Sequence, residues 1–229
     1  MFKNRYLRNK ILSEENQQLL KESKVVIFGM GGLGGYVAEG LTRIGIGELV
    51  LIDYDVFSES NLNRQRFSYE DNIGKKKVLE AKKELGKINS EIKIEAIDKK
   101  LSDNEIDNLL SDEKISCVVD CLDNIKDRLI LENICTKENK VLIHGSISGW
   151  VGEVATIYPN DNILHNIYVD DKNINDKEIN EKYGNIVFVA SFIASIQVAR
   201  VVKYIIGEKN EHGKVAYFDL KHNDYDFVI

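Results

Sequence analysis

The 229-residue chain has a single proline, Pro159, and only three cysteines, Cys117, Cys121 and Cys135. An odd, small number of cysteines excludes a disulfide framework. No two of them form a C-x-x-C pair, so the ligand count for a structural zinc knuckle is missing. No uninterrupted apolar run is long enough to span a bilayer. The best candidate, IVFVASFIASIQVARVVKYIIG at 186–207, is broken in its second half by Gln197, Arg200, Lys203 and Tyr204, and reads as a buried helix. The first twenty residues, MFKNRYLRNKILSEENQQLL, lack the apolar core of a secretory signal, so a cytoplasmic location is expected. A long basic stretch is also missing. Net charge is −6, and the lysines at 75–77 and 82–83 alternate with apolar residues at helical spacing. Neither nucleic acid nor a membrane is an expected partner.

What is present is the composition of a globular chain, 43% hydrophobic and 30% charged, long enough for one sizeable core. Apolar strands KVVIFG (24–29), ELVLID (48–53), EIKIEAID (91–98), ISCVVDCLD (115–123) and KVLIHGS (140–146) alternate with helical segments. Those helices are expected from about Gly32 to Ile44, over 74–89, over NEIDNLL, and over NIKDRLILENICTKEN. Such alternation predicts an α/β fold: a Rossmann-like, mostly parallel sheet with helices on both faces. GEVATIYP, KVAYFDL and YDFVI are expected to continue it as antiparallel strands, and the Asn- and Asp-rich stretch 160–185 as a long surface loop or crossover. One domain is expected. Its parts are an N-terminal helical arm (1–23), a nucleotide-binding part (24–146) and a crossover, buried helix and C-terminal strands (147–229).

Between the first strand and its helix lie Gly29, Gly31, Gly32, Gly34 and Gly35. Glycines there let phosphate oxygens approach the backbone, and the helix start offers free N–H groups to an anion. Asp53, about twenty residues on, is placed for ribose hydroxyls. Glycines serving only a tight turn and close helix packing remain the alternative. The spacing is G-x-G-G-x-G, and the acid is followed by Asp55 and SESNLNRQ. Asn61, Arg64 and Gln65 supply donors that suit a triphosphate better than a dinucleotide. No tyrosine–lysine or histidine–aspartate arrangement for hydride transfer is evident, and His144 in IHGS reads as a structural strand-end residue.

GMGGLGG…GIGELVLIDYDVFSESNLNRQ resembles the signature of the ThiF/MoeB/HesA adenylyltransferases, bacterial relatives of ubiquitin-activating enzymes. RYLRN, NIGKKKVLEAKKELGKIN, VVDCLDN and HGSISGWVGEV resemble further family segments in the same order, over nearly the whole chain. The resemblance implies adenylation by ATP of the C-terminal glycine of a ubiquitin-like sulfur carrier ending in Gly-Gly, with release of pyrophosphate. It also implies a homodimer and a separate sulfurtransferase. It places Gly29, Gly31 and Gly32 at the phosphates and Asp53 at the ribose, with Asp55 nearby. The run Ser60, Asn61, Leu62, Asn63, Arg64 and Gln65 would lie along the triphosphate, with Lys77 as its lysine. Asp123 would hold Mg²⁺ beside Asn124, and Arg8 would reach a partner's site. Each has a plainer reading: Arg64 and Arg8 as surface charges, Lys77 as one of a solvated triplet, Asp123 as a helix N-cap.

Many members carry two zinc-binding C-x-x-C pairs and some a nucleophilic cysteine in the crossover. Here those places read YPNDNILHN and YFDLKHNDYDFVI, and residues 160–190 hold no cysteine. No zinc is expected, His165 and His222 being too few, and catalysis is expected to stop at the acyl-adenylate. Cys117 and Cys121 read as core residues, and Cys135 as lying on a helix outside the site. Which carrier is used stays open, as do adenylation of a peptide or other carboxylate and a nucleotide-binding scaffold without turnover.

Overall fold

The computed structural model describes residues 4–168 and 183–228. Its eight strands are β1 (Lys24–Phe28), β2 (Glu48–Ile52), β3 (Lys93–Ile97), β4 (Ile115–Asp120), β5 (Leu142–Ser148), β6 (Val151–Ile157), β7 (Val215–Asp219) and β8 (Asp224–Val228). They form one sheet in the order β3-β2-β1-β4-β5-β6-β7-β8. The first five are parallel, and β6, β7 and β8 each run antiparallel to the strand before. This is the α/β sheet the sequence predicts, with its antiparallel C-terminal extension.

Strand alternation sends side chains to two cores. Val25, Ile27, Leu49, Leu51, Val119, Ile143 and Val154 pack under α1 (Glu14–Glu22), α2 (Gly34–Ile44), α3 (Lys77–Ile88) and α7 (Val187–Ile205). Val26, Phe28, Val50, Val118 and Leu142 pack under α4 (Asp103–Leu110), α5 (Ile125–Lys137) and α6 (Ile163–Tyr168). Helix α7 is long and apolar enough to cross a membrane. In this fold it lies against α2, β5 and β6, burying Val189, Ala190, Ile193, Ala194 and Val201 together with Gln197 and Arg200.

Two details differ from the sequence reading. Helix α2 begins at Gly34, two residues after the expected start, and a Cβ on Gly34 would sit 1.8 Å from the Gly29 carbonyl oxygen, so glycine is required where the helix passes that carbonyl. The stretch 160–185 is not simply a loop, since α6 occupies Ile163–Tyr168 and Asn185 bridges to Gly149; the rest of that expectation, 169–182, lies outside the described residues. Helix α6 forms despite its polar flanks because the buried Glu132 carboxylate accepts the N–H groups of Leu164 and His165.

Candidate active site

Strand β1 pairs with β2 on one side and β4 on the other, so the sheet's connections reverse direction between β1 and β4. Crevices at such a switch point, beyond the carboxyl ends of the strands, are where open α/β sheets bind ligands. A cavity of about 1000 Å³ lies there, bordered by the ends of the first five strands.

Its glycine end is shaped by tight packing. Gly29 takes φ +89°, and a Cβ there would lie 2.5 Å from the Cys121 carbonyl oxygen, so glycine is required. Gly31 and Gly32 differ. They line the cavity, and a Cβ on either would meet only ordinary contacts at 3.6 Å or more while filling space at the cradle. The Asp53 carboxylate is fixed between two backbone N–H groups, Met30 at 2.7 Å and Asp55 at 2.8 Å. It ties the turn after β1 to the end of β2 and still lines the cavity.

The lysine triplet resolves by backbone geometry. A bridge between Val56 and Lys76 lays residues 74–77 against 55–57. Lys75 is exposed, Lys76 turns out to Asp98 at 3.1 Å, and Lys77 turns in, 8% exposed, with Nζ 2.9 Å from Asp55 Oδ2. The Asp55 carboxylate is thus Lys77's partner. Within SNLNRQ, Ser60, Asn63, Arg64 and Gln65 line the cavity. Asn61 and Leu62 are not among the lining residues. Asn61 is buried behind the segment, its Oδ1 accepting the Ser58 N–H at 3.0 Å, and Leu62 is 37% exposed. Arg64 donates to the Ser60 carbonyl and to Asn63 Oδ1, which holds its guanidinium at the cavity. Burial lowers its pKa and the Asp123 charge opposes that shift; an arginine stays charged throughout. Gln65 is 8% exposed and its Oε1 has no partner. Arg8, exposed on the N-terminal turn, is not among the residues lining its own chain's cavity.

Beyond β4, Asp123 and Asn124 both line the cavity. The N-cap of α5 is Asn124, whose Oδ1 accepts the Asp127 N–H at 2.8 Å, and not Asp123. The Asp123 carboxylate is therefore spared capping duty, with Asn124 Nδ2 its recorded hydrogen-bond neighbour at 3.5 Å. Among the described residues no three His, Cys, Asp or Glu side chains group closely enough to hold an ion alone. A magnesium ion that keeps waters and bridges phosphates needs one or two carboxylates, so the donor set here fits that ion in company with a nucleotide.

The opposite wall was not visible in the sequence. Arg128, Ser146, Glu153, Tyr168 and Tyr217 line it. The first turns of α5 belong to the cavity, which corrects the placing of that helix outside the site; Cys135, two turns on, is buried in the core. Burial raises the thiol pKa of all three cysteines, that of Cys117 to about 12. A histidine–aspartate pair also exists: His144 Nδ1 lies 2.7 Å from Asp120 Oδ2, both fully buried. The two residues are 24 apart and are brought side by side by the β4–β5 register, which periodicity does not reveal.

Where the resemblance places one zinc cysteine pair, just after β6, the chain is tied by a hydrogen bond between His212 Nε2 and Asp161 Oδ1 at 2.8 Å. Tyr158 stacks edge-on to both His212 and Tyr204.

Comparison with known proteins gives three kinds of finding. The profile of the ThiF family matches residues 3–228. Among curated relatives, the SAMP-activating enzyme E1 of Haloferax volcanii is 33% identical over 158 residues, 68% of this chain and 58% of that protein. The sulfur carrier protein ThiS adenylyltransferase of Bacillus subtilis is 30% identical over 236 residues, 96% of this chain and 69% of that protein. Several of the relatives are thus matched over less than two thirds of their own length. Among solved structures, the crystal structure of E. coli MccB with ATP superposes with a TM-score of 0.79 at 27% identity, over 98% of this chain and 71% of that one.

Proposed function

The chain belongs to the ThiF family, and from that premise we propose that it is an ATP-dependent adenylyltransferase acting on the C-terminal glycine of a ubiquitin-like sulfur-carrier protein. The observation that carries this reading is convergence. Gly31 and Gly32, Asp53, Arg64, Lys77 and Asp123 come from five separate stretches of sequence and border one cavity at the switch point.

The chemistry follows from the groups present. A carboxylate oxygen attacks the α-phosphorus of ATP. A new P–O bond forms, the bond from that phosphorus to the bridging oxygen of the β-phosphate breaks, and pyrophosphate leaves with the electron pair. The nucleophile arrives deprotonated, so no side chain has to move a proton. What the protein must supply is position and positive charge. The glycine turn lets the phosphates approach the backbone, Arg64 and Lys77 offset their charge, and Asp53 faces the ribose. On binding a triphosphate, Lys77 exchanges its Asp55 partner for phosphate oxygens. Magnesium, held at Asp123, would supply further neutralisation of phosphate charge.

The names of relatives in this family that activate SAMP and the ThiS carrier support the substrate class. A second reading, adenylation of a peptide C-terminus, is raised by the likeness to E. coli MccB, which has been crystallised with AMPCPP and MccA. In either case the product is handed on as the acyl-adenylate, for a sulfurtransferase in the first. The working unit is a cytoplasmic homodimer in which Arg8 reaches the partner's cavity. Pyrophosphate–ATP exchange tests the two substrate readings. Exchange that depends on a carrier ending in Gly-Gly supports the first reading, and exchange with a free peptide the second. ATP binding without exchange for any carboxylate would sink both.

A further inference from the structure

Five side chains from five elements meet at and behind the far wall: Arg128 on α5, Glu153 on β6 and Tyr168 ending α6 line it, and Asp120 ending β4 and His144 on β5 are buried behind it. His144 stands between two carboxylates, Nδ1 2.7 Å from Asp120 Oδ2 and Nε2 3.5 Å from Glu153 Oε1. The Tyr168 hydroxyl donates to the same Glu153 oxygen. Arg128 donates to that hydroxyl at 3.3 Å and to the Leu122 carbonyl at 2.6 Å, with its Nε 4.0 Å from Asp120 Oδ2.

The geometry discriminates between the forms of the ring. A neutral imidazole has one N–H and one lone pair. With the proton on Nδ1, a lone pair faces Glu153; with it on Nε2, a lone pair faces Asp120 at 2.7 Å. Only the doubly protonated ring turns an N–H toward each carboxylate; Nε2 makes no hydrogen bond as placed, so its contact with Glu153 is one of charge. The charge count agrees. Asp120 and Glu153 carry two negative charges and Arg128 one positive, so an imidazolium closes the balance, and an uncompensated buried charge is strongly destabilising. Among the described residues no other neighbour supplies the missing charge. Tyr217, opposite Glu153 on β7, has its hydroxyl pKa raised by burial and by nearby carboxylates. The Cys121 thiol is likewise neutral, and α7 presents the neutral amide of Gln197.

We propose that His144 is a positioning residue: as an imidazolium it bridges Asp120 to Glu153, and so fixes Glu153 and the Tyr168 hydroxyl as the wall against which the last residues of the acyl substrate lie. The bridge stands on the geometry alone. Its effect on substrate rests on the adenylation reading above.

Two measurements on the full chain separate these layers. Imidazole ¹⁵N spectra, with the His144 signals identified by their loss in His144→Gln, are expected to show one ring doubly protonated at pH values above the ordinary imidazole range of ~6.5. In Glu153→Gln that transition moves to lower pH. A ring that is neutral at pH 7, or one indifferent to Glu153→Gln, overturns the bridge. In pyrophosphate exchange with a synthetic carrier peptide ending in Gly-Gly, His144→Gln raises the KM for peptide about tenfold and leaves the KM for ATP unchanged. The wild-type peptide KM rises at the alkaline side with the midpoint seen by NMR. A charged ring with unaltered peptide KM overturns the positioning role. If the wild type exchanges with no carboxylate, the adenylation reading fails while the spectra still decide the bridge. Should His144→Gln not fold, Glu153→Gln carries both arms and the ring is identified by its sensitivity to that variant.

Discussion

The two ends of the cavity are put together in different ways. At the glycine end, runs of neighbours supply the groups: 29–34 for the turn, 53–55 for the acid, 60–65 for the donors, with short-range hydrogen bonds inside the last two stretches and the Met30 N–H joining the turn to Asp53. At the far wall, single residues from β4, α5, β5, β6 and α6 meet only because the sheet brings them together. Local chemistry sets the first end, and register sets the second. The two should therefore break differently.

Gly34→Ala tests the first end hardest. Its Cβ would stand 1.8 Å from the Gly29 carbonyl oxygen, a backbone atom that cannot yield without moving β1 or α2. The expected cost is several kcal/mol, at the top of the range for overpacking. Thermal unfolding of the variant should show a fall of about ten degrees, ~3 °C per kcal/mol being usual for a chain of this size. A variant as stable as wild type would mean that the turn adapts and that local geometry is not what sets this end.

Asp123→Ala comes next, and separates chemistry from fold. The residue is exposed to the cavity and does not cap α5, so its loss should leave the melting temperature within about a degree while exchange falls by ~10²-fold or more. Retained exchange would remove the metal assignment; a large loss of stability would show that Asp123 serves the fold.

These two positions also show what was legible in the sequence. Strand–helix alternation gave the order of elements, and the glycine, SNLNRQ and DCLDN stretches gave the groups lining one end, because those features are contiguous and their spacing carries the geometry. Which of Lys75, Lys76 and Lys77 turns inward depends on the Val56–Lys76 bridge, a contact across twenty residues. The pairing of His144 with Asp120 depends on a parallel register, and α6 on a carboxylate from another helix capping it. Neither leaves a periodic mark. Alternation places His144 on the α5 face of the sheet, and nothing short of the pairing tells what faces it there.

Arg8 sharpens the comparison from outside, since it asks whether the glycine end is complete within one chain. An arginine acting in the partner's cavity makes Arg8→Ala inactive, yet an equal mixture with inactive Asp123→Ala should recover about a quarter of wild-type exchange. Half the dimers are then mixed, and one of the two sites in each has both residues intact. No recovery after subunit exchange, checked by tagged co-purification, would place Arg8 in its own chain's chemistry or in none.

The smallest expected effect belongs to the far wall, and it appears as a slope of stability with pH. Burial pushes the His144 imidazole down, but the Asp120 hydrogen bond and charge and the nearby Glu153 carboxylate more than reverse this, and its pKa is raised. A group whose pKa is higher folded than unfolded contributes stability that is fully present below ~6.5 and is lost as pH climbs through the folded value. Glu153 has the opposite sign. Burial pushes it up, His144, Tyr168 and Arg128 hold it down to about 2, and its contribution is lost as pH falls toward that value. The wall should thus be firmest at mildly acidic to neutral pH and weaken at both extremes. Urea unfolding across pH 5 to 10 should show a decline on the alkaline side of ~1.4 kcal/mol per unit of pKa difference, and His144→Gln should flatten that decline while lowering stability throughout. The three buried thiols, also raised in the fold, lose stability once free thiols ionise near ~8.5, so the part of the decline assignable to this ring is the part that His144→Gln removes. If the variant keeps the wild-type slope, the alkaline loss has another source and the two carboxylates are held apart by something other than a charged imidazole.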